Sequence, residues 1–189
     1  MSKQLIIISG PNGSGKTTFA KSFLKEKKYS FLNADEIAKE LTDDGKSGGN
    51  ISAGKEYFKR LGQMKNKNRN VILESTMSGL FLKNLFRDFK NRNYQVQILF
   101  VVLNDANACI ERIKVRVSKG GHHVPDDDVK RRFIRGKNNF WNIYKDLADR
   151  WMLLDNSEFS YEQVAVGSGK KFEIINSNSF EEFVQTIEK

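Results

Sequence analysis

Gly10-Pro-Asn-Gly-Ser-Gly15-Lys16-Thr17 is a glycine, four free positions, then Gly-Lys-Thr. Glycines so spaced let consecutive backbone N–H groups turn inward around an anion, and a helix starting at the lysine adds the positive end of its dipole. In such a loop Lys16 reaches the β- and γ-phosphates of a nucleoside triphosphate. The Thr17 hydroxyl is then placed for the Mg²⁺ that bridges the same oxygens. The expected triphosphate-binding set is Gly10, Pro11, Asn12, Gly13, Ser14, Gly15, Lys16, Thr17 and Thr18. An ordinary glycine-rich turn is the bland alternative, and the apolar run before the loop and the helical pattern after it argue against it.

Two carboxylates suit phosphoryl transfer. Asp35, in Asn33-Ala-Asp-Glu36, follows a short apolar run and can accept the proton of an attacking hydroxyl. It can equally cap a helix beginning at Glu36, and both readings stand. Glu74 ends the run Val71-Ile-Leu-Glu74, where a lone acid can hold a water of the magnesium shell. Metal duty is therefore expected of Thr17 and Glu74. Asp105 competes for that role but reads better as a helix cap. Ser75 and Thr76 are placed to hydrogen-bond a substrate or to cap the next helix. The stretch from Arg112 to Lys137 is basic and is broken by Gly120-Gly-His-His-Val-Pro125. Two helices around such a turn make a lid, on which arginines offer forked donors to phosphate oxygens. Arg132 and Arg135 share one helix flank, and Arg131 points away from it. A solvated basic face is the alternative. His122 and His123, with Asp126–Asp128 nearby, suggest a metal, but the acids fit a helix start better, with Asp126 as its cap.

Strands and helices alternate around these residues. Leu5–Ser9 is fully apolar, as a central parallel strand is. A helix is expected from Lys16 to about Glu26, strands at Phe31–Asn33 and Val71–Glu74, and a short helix at Asp35–Leu41. Thr42–Asn50 reads as a loop, and Ser52 as the cap of a helix to about Asn66. Leu80–Lys90 is amphipathic, Tyr94–Leu103 is a long strand entering the core, and Asp105–Lys119 is helical. After the turn, one apolar stripe carries Val129, Phe133, Phe140, Tyr144 and Leu147. Trp151–Leu154 is the fifth strand, and Asn156 just beyond it is the positional candidate for the base pocket. Val164–Val166 and Phe172–Ile175 form a hairpin, and Phe180–Ile187 a closing helix. Residues 1–189 read as one α/β domain, a parallel sheet with helices on both faces and a lid at about 112–137.

The chain has 189 residues and 39% hydrophobic residues, enough for a core. No apolar run approaches the roughly 20 residues of a membrane helix, and Leu5–Ile8 is too short for an export signal. The single cysteine, Cys109, excludes an internal disulfide and makes a reducing cytoplasm the simplest setting. A formal charge of +9 favours anionic partners. No GTPase-type NKxD and no transporter signature loop occur, and the length leaves no second helicase lobe.

Taken in order, GPNGSGKTTFA, NADEIA, ESTMSG, RVSKGGHHVPDDDVKRRF and ADRWMLLDNS resemble the zeta-toxin-like P-loop kinases, specifically their small stand-alone group. The resemblance runs from Leu5 to about Ser157. It implies an adenylate-kinase-like parallel five-stranded sheet in the order 2-3-1-4-5, with ATP as donor. It also implies transfer to the sugar of UDP-N-acetylglucosamine. By position, Lys16 and Thr17 are the Walker A pair, Asp35 the base and Glu74 the third-strand acid, with Arg116, Arg132 and Arg135 clamping phosphates. Zeta toxins usually carry an arginine soon after the base, where this chain has Glu36-Ile-Ala-Lys39. The expected function is ATP-dependent phosphorylation of a hydroxyl on a small substrate, a sugar nucleotide being the leading candidate. An antitoxin partner is compatible with the resemblance, and neither a membrane nor a nucleic-acid partner is expected. A polynucleotide kinase or RNA-linked ATPase is the second reading, motivated by the charge and by Trp141 as an exposed aromatic. A non-catalytic nucleotide-dependent interaction protein is the third.

Overall fold

The structure is a computed structural model and describes residues 3–26, 29–33, 36–37, 40, 49–66 and 69–187. The short helix expected at Asp35–Leu41 lies largely outside the described residues. Five strands, β1 (Lys3–Ser9), β2 (Ser30–Leu32), β3 (Val71–Ser75), β4 (Tyr94–Val102) and β5 (Arg150–Asp155), run parallel in the order β2-β3-β1-β4-β5. β1 is central, with Ile8 opposite Glu74 on β3 and Leu99 on β4. Such a strand is walled on both faces and must be apolar throughout, and Leu5–Ile8 are all buried.

Alternate residues of β1 serve different layers. Ile6 and Ile8 pack with Ala20 of α1 (Lys16–Glu26) on one face, together with Ile72 and Leu99. Leu5 and Ile7 belong to the larger cluster on the other face. There they meet α2 (Gly49–Asn66), α3 (Leu82–Lys90) and, later in the chain, a π-helical turn at Phe140–Tyr144. The sequence puts the start of α2 at Ser52, but the helix begins at Gly49, so Ser52 is interior. Leu82, Leu85, Phe86 and Phe89 form the buried stripe of α3, as their helical spacing requires.

α4 (Ala106–Ser118) and α5 (Asp126–Asn139) are the two arms of the expected lid. They pack on each other through Cys109, Ile110, Ile113, Val129 and Phe133. Asp105 caps α4 by accepting the Ala108 N–H at 2.8 Å. Asp126 is not the cap of α5. Pro125 holds that position without a side-chain bond, and Asp126–Asp128 fill the first turn, where the helix dipole favours them. α5 continues through the π turn into the short α6 (Lys145–Leu147).

The C-terminal hairpin is not a separate appendage. β6 (Glu162–Ser168) pairs antiparallel with β5, and β7 (Lys171–Ile174) with β6, extending the sheet to seven strands. α7 (Ser177–Gln185) packs onto the core through its own buried Phe183. Trp141 is not the exposed aromatic expected from sequence. It is half-buried among Trp151, Phe172, Phe180 and Phe183, with ring centroids 5.5–6.0 Å away.

Candidate active site

The loop Gly10–Gly15 leaves the carboxyl end of β1 and opens into α1, the switch point where parallel sheets place ligands. Gly13 and Gly15 have φ of +85° and +98°, a region that side chains avoid. Space also forbids a side chain there. A Cβ on Gly13 would lie 2.5 Å from Cys109 O, and one on Gly15 would lie 2.5 Å from Asn156 Nδ2. Lys16 is 6% exposed and folds onto its own loop, its Nζ donating to Pro11 O at 2.7 Å. Ser14 Oγ is buried with no hydrogen-bond partner.

Glu74 arrives at the same point because Ile8 and Glu74 are paired in register. The Thr17 hydroxyl lies 2.9 and 3.0 Å from its two carboxylate oxygens. Asn33, 5% exposed at the end of β2, donates its Nδ2 to Glu74 Oε2 at 2.8 Å. Convergent hard oxygens from a hydroxyl and a carboxylate suit Mg²⁺, which takes few protein ligands and keeps several waters. Among the described residues no group of three or more His, Cys, Asp or Glu could hold a metal ion.

These groups open onto a cavity of roughly 670 Å³, within the size range of small-molecule sites. The phosphate loop and Glu74 form its floor. One wall is the last turns of α4 and the glycine turn, including Arg112, Val115, Arg116 and Gly121. The loop after β5, with Asn156, Phe159 and Tyr161, lines it as well. Phe159 stands 82% exposed at φ +57°, and the Arg112 guanidinium lies 4.1 Å from its ring centroid. Arg112 Nη2 also donates to the carbonyls of Asn156 and Ser157, at 2.7 and 2.9 Å. Asn156 Nδ2 donates to Ser14 O, and Tyr161 Oη donates to Gly15 O. Burial raises the Tyr161 phenol above its usual range.

The expected arginines separate. Arg116 lines the cavity, and its Nη2 donates to His122 O at 2.6 Å while its Nε is buried without a hydrogen-bond partner. Arg132 turns toward the phosphate loop, with Nη1 3.3 Å from Asn12 Oδ1 and Nη2 3.5 Å from Asp128. Arg135 is exposed and does not line the cavity. Arg131 pairs with Asp128 at 2.7 Å. His122 and His123 are both exposed. Asp35, the expected base, lies outside the described residues. Asn33, Phe159 and Tyr161 were missed from sequence because each acts through a contact distant along the chain. The switch-point rule points to their loops without choosing the residues.

A sequence family described as AAA domain matches residues 5–133. The cytidylate kinase of Saccharolobus islandicus (strain L.S.2.15 / Lassen #1) is 30% identical over 150 residues, which are 74% of this chain and 74% of that protein. Two solved structures share the fold. A crystal structure of AvrRxo1-ORF1:AvrRxo1-ORF2 with ATP superposes with a TM-score of 0.79 at 14% identity. It covers all of this chain, which spans 65% of the length of that one. The PezAT toxin–antitoxin system of Streptococcus pneumoniae gives a TM-score of 0.64 at 14% identity, covering 98% of this chain and 78% of that one. A match across more than half the residues decides the family: the chain belongs to the AAA-domain family, as a P-loop kinase-like protein.

Proposed function

We propose that the protein transfers the γ-phosphate of ATP to a hydroxyl of a small substrate, with a sugar nucleotide of the UDP-N-acetylglucosamine kind as the leading acceptor. The observation that carries this reading is the convergence of Lys16, Thr17 and Glu74 on the floor of one cavity. Lys16 exchanges its bond to Pro11 O for phosphate oxygens. Thr17 and Glu74 would hold Mg²⁺, which when bound supplies charge neutralisation at the β- and γ-oxygens. Arg116 and Arg132 flank the loop as donors to the transferring group, whose transition state carries charge on its equatorial oxygens. Asp35 comes two positions along the sequence after Asn33, which holds Glu74, and its role is to orient and deprotonate the hydroxyl.

The likeness to the AvrRxo1 structure solved with ATP supports ATP as donor, and the likeness to PezAT, a toxin–antitoxin system, supports an antitoxin as protein partner. The cytidylate kinase relatives favour a second reading, in which the acceptor is a nucleoside monophosphate. A carboxylate at Asp35 distinguishes the two: it activates a hydroxyl and repels an anionic phosphate. The test is transfer of labelled γ-phosphate from ATP with magnesium to UDP-N-acetylglucosamine, CMP and simple sugars in parallel. Label on the sugar nucleotide, lost in Asp35→Asn, supports the first reading. Label on CMP that survives Asp35→Asn establishes the second.

A further inference from the structure

The loop after β5 reaches back to the phosphate loop and ends on its carbonyls. Asn156 Nδ2 donates to Ser14 O at 2.8 Å, and Tyr161 Oη donates to Gly15 O at 2.9 Å. In a trans peptide the carbonyl and the following N–H point to opposite sides. The described chain has no cis peptide bond. Drawing Ser14 O toward Asn156 therefore turns the Gly15 N–H the other way, and drawing Gly15 O toward Tyr161 does the same for the Lys16 N–H. An anion nest consists of such N–H groups held to one side.

The two clamps are themselves fixed. Asn156 is 5% exposed, its N–H donates to Val102 O at 3.1 Å, and its carbonyl accepts from Arg112. The Tyr161 ring packs on Phe19 of α1 with centroids 4.8 Å apart. They are not equal in weight. Gly15 O also accepts the Phe19 N–H at 3.0 Å, so α1 already sets that peptide and Tyr161 reinforces it. Ser14 O lies one residue further from the helix, where Asn156 is the side chain that holds it.

We propose that Asn156 and Tyr161 are positioning residues for the triphosphate: they set the peptide polarity of the phosphate loop and carry affinity for the phosphates rather than for the nucleoside. The proposal rests on reading the cavity as an ATP site. Calorimetric titration of the full chain with magnesium–ATP and with magnesium–tripolyphosphate tests it. Asn156→Ala is expected to weaken both ligands about tenfold, and Tyr161→Phe about threefold, the scale of one lost or weakened hydrogen bond. For each variant the factor is the same for the two ligands, and Tyr161→Phe still melts cooperatively within a few degrees of the wild type.

A loss confined to ATP overturns the proposal, because it would mark direct contact with the nucleoside. Unchanged affinities for both ligands overturn it as well. Should Asn156→Ala fail to fold, Tyr161→Phe carries the same comparison alone. Wild-type protein that binds neither ligand sinks the ATP reading, and this proposal with it. Wild-type protein that binds both while the variants match it leaves the ATP reading intact and removes only the clamp.

Discussion

The Thr17 hydroxyl bridges both carboxylate oxygens of Glu74, at 2.9 and 3.0 Å, and so joins the first turn of α1 to the end of β3. A divalent ion held here would take the same oxygens. Glu74→Gln keeps the shape and removes the charge, while Thr17→Val keeps the shape and removes the hydroxyl. Magnesium is expected to tighten ATP binding in the wild type, and each variant is expected to lose most of that gain. Turnover should fall by about 10²-fold or more, the scale of losing one electrostatic stabiliser of a phosphoryl transition state. Calorimetry with ATP, with and without magnesium, checks it. Magnesium dependence unchanged in both variants would refute the assignment.

Arg132 and Arg135 sit on the same helix, yet only Arg132 reaches the phosphate loop, through Asn12 Oδ1 at 3.3 Å. Arg132→Ala is expected to cut ATP turnover by about 10–100-fold, the range for losing a charged hydrogen-bond donor. Arg135→Ala should change it less than twofold, as an exposed residue away from the cavity. Steady-state kinetics on the two variants compares them directly, and equal losses would mean that the arginine choice is wrong.

The parallel core was legible because burial on both faces leaves a strand no choice but an apolar run, and Leu5–Ile8 and Val71–Leu73 are such runs. The phosphate loop was legible because its glycines and Lys-Thr pair are adjacent in sequence. Asn33 and Tyr161 were not, because they bond atoms 41 and 146 positions away, and no local pattern records that; Asn156 is marked by its position after the fifth strand, but its bond to Ser14 O, 142 positions away, is not. Trp141 misled for a related reason. Its cover comes from Phe172 and Phe180, which reach it only once the hairpin joins the sheet. Spacing puts Arg132 and Arg135 on one helix flank, and only the place of the folded phosphate loop beside Arg132 separates them.

Gly136 is buried in α5 against the loop that follows Glu74, where an added Cβ would meet Thr76 O at 2.6 Å. Alanine is favoured over glycine inside a helix by about 1 kcal/mol. That gain is outweighed, because the clashing atom is backbone in a braced loop. Asn139 Nδ2 holds Met77 O at 2.8 Å, and Tyr144 Oη holds Gly79 O at 2.7 Å. Overpacking against a fixed neighbour costs about 1–3 kcal/mol, so Gly136→Ala should be destabilising overall. A denaturant midpoint higher than that of the wild type would show that the loop yields freely.

Lys137 is 3% exposed, with its ammonium on Thr186 Oγ1 and over the rings of Phe133 and Phe183 at 5.0 and 4.8 Å. Burial pulls its pKa down to about 8, while Cys109 and Asp155 partly oppose the shift. The unfolded chain keeps this proton to about 10.4. Between those values the unfolded state holds more protons than the native one, so this group makes stability rise with pH. Below pH 8 the cost of the buried charge is complete. Lys137→Met removes it and should be more stable at pH 7, on the order of 3 kcal/mol. The gap should close as pH climbs from 8 through 10. Cys109, whose thiol burial pushes up to about 12, acts oppositely above pH 9. Lys137 and Cys109 act on each other, but the native thiol stays protonated in both proteins below pH 10, so over that range the difference between their unfolding curves reports the lysine. Urea titrations of both at pH 7, 8, 9 and 10 decide the matter, and a gap that stays constant across that range would mean that Lys137 titrates normally.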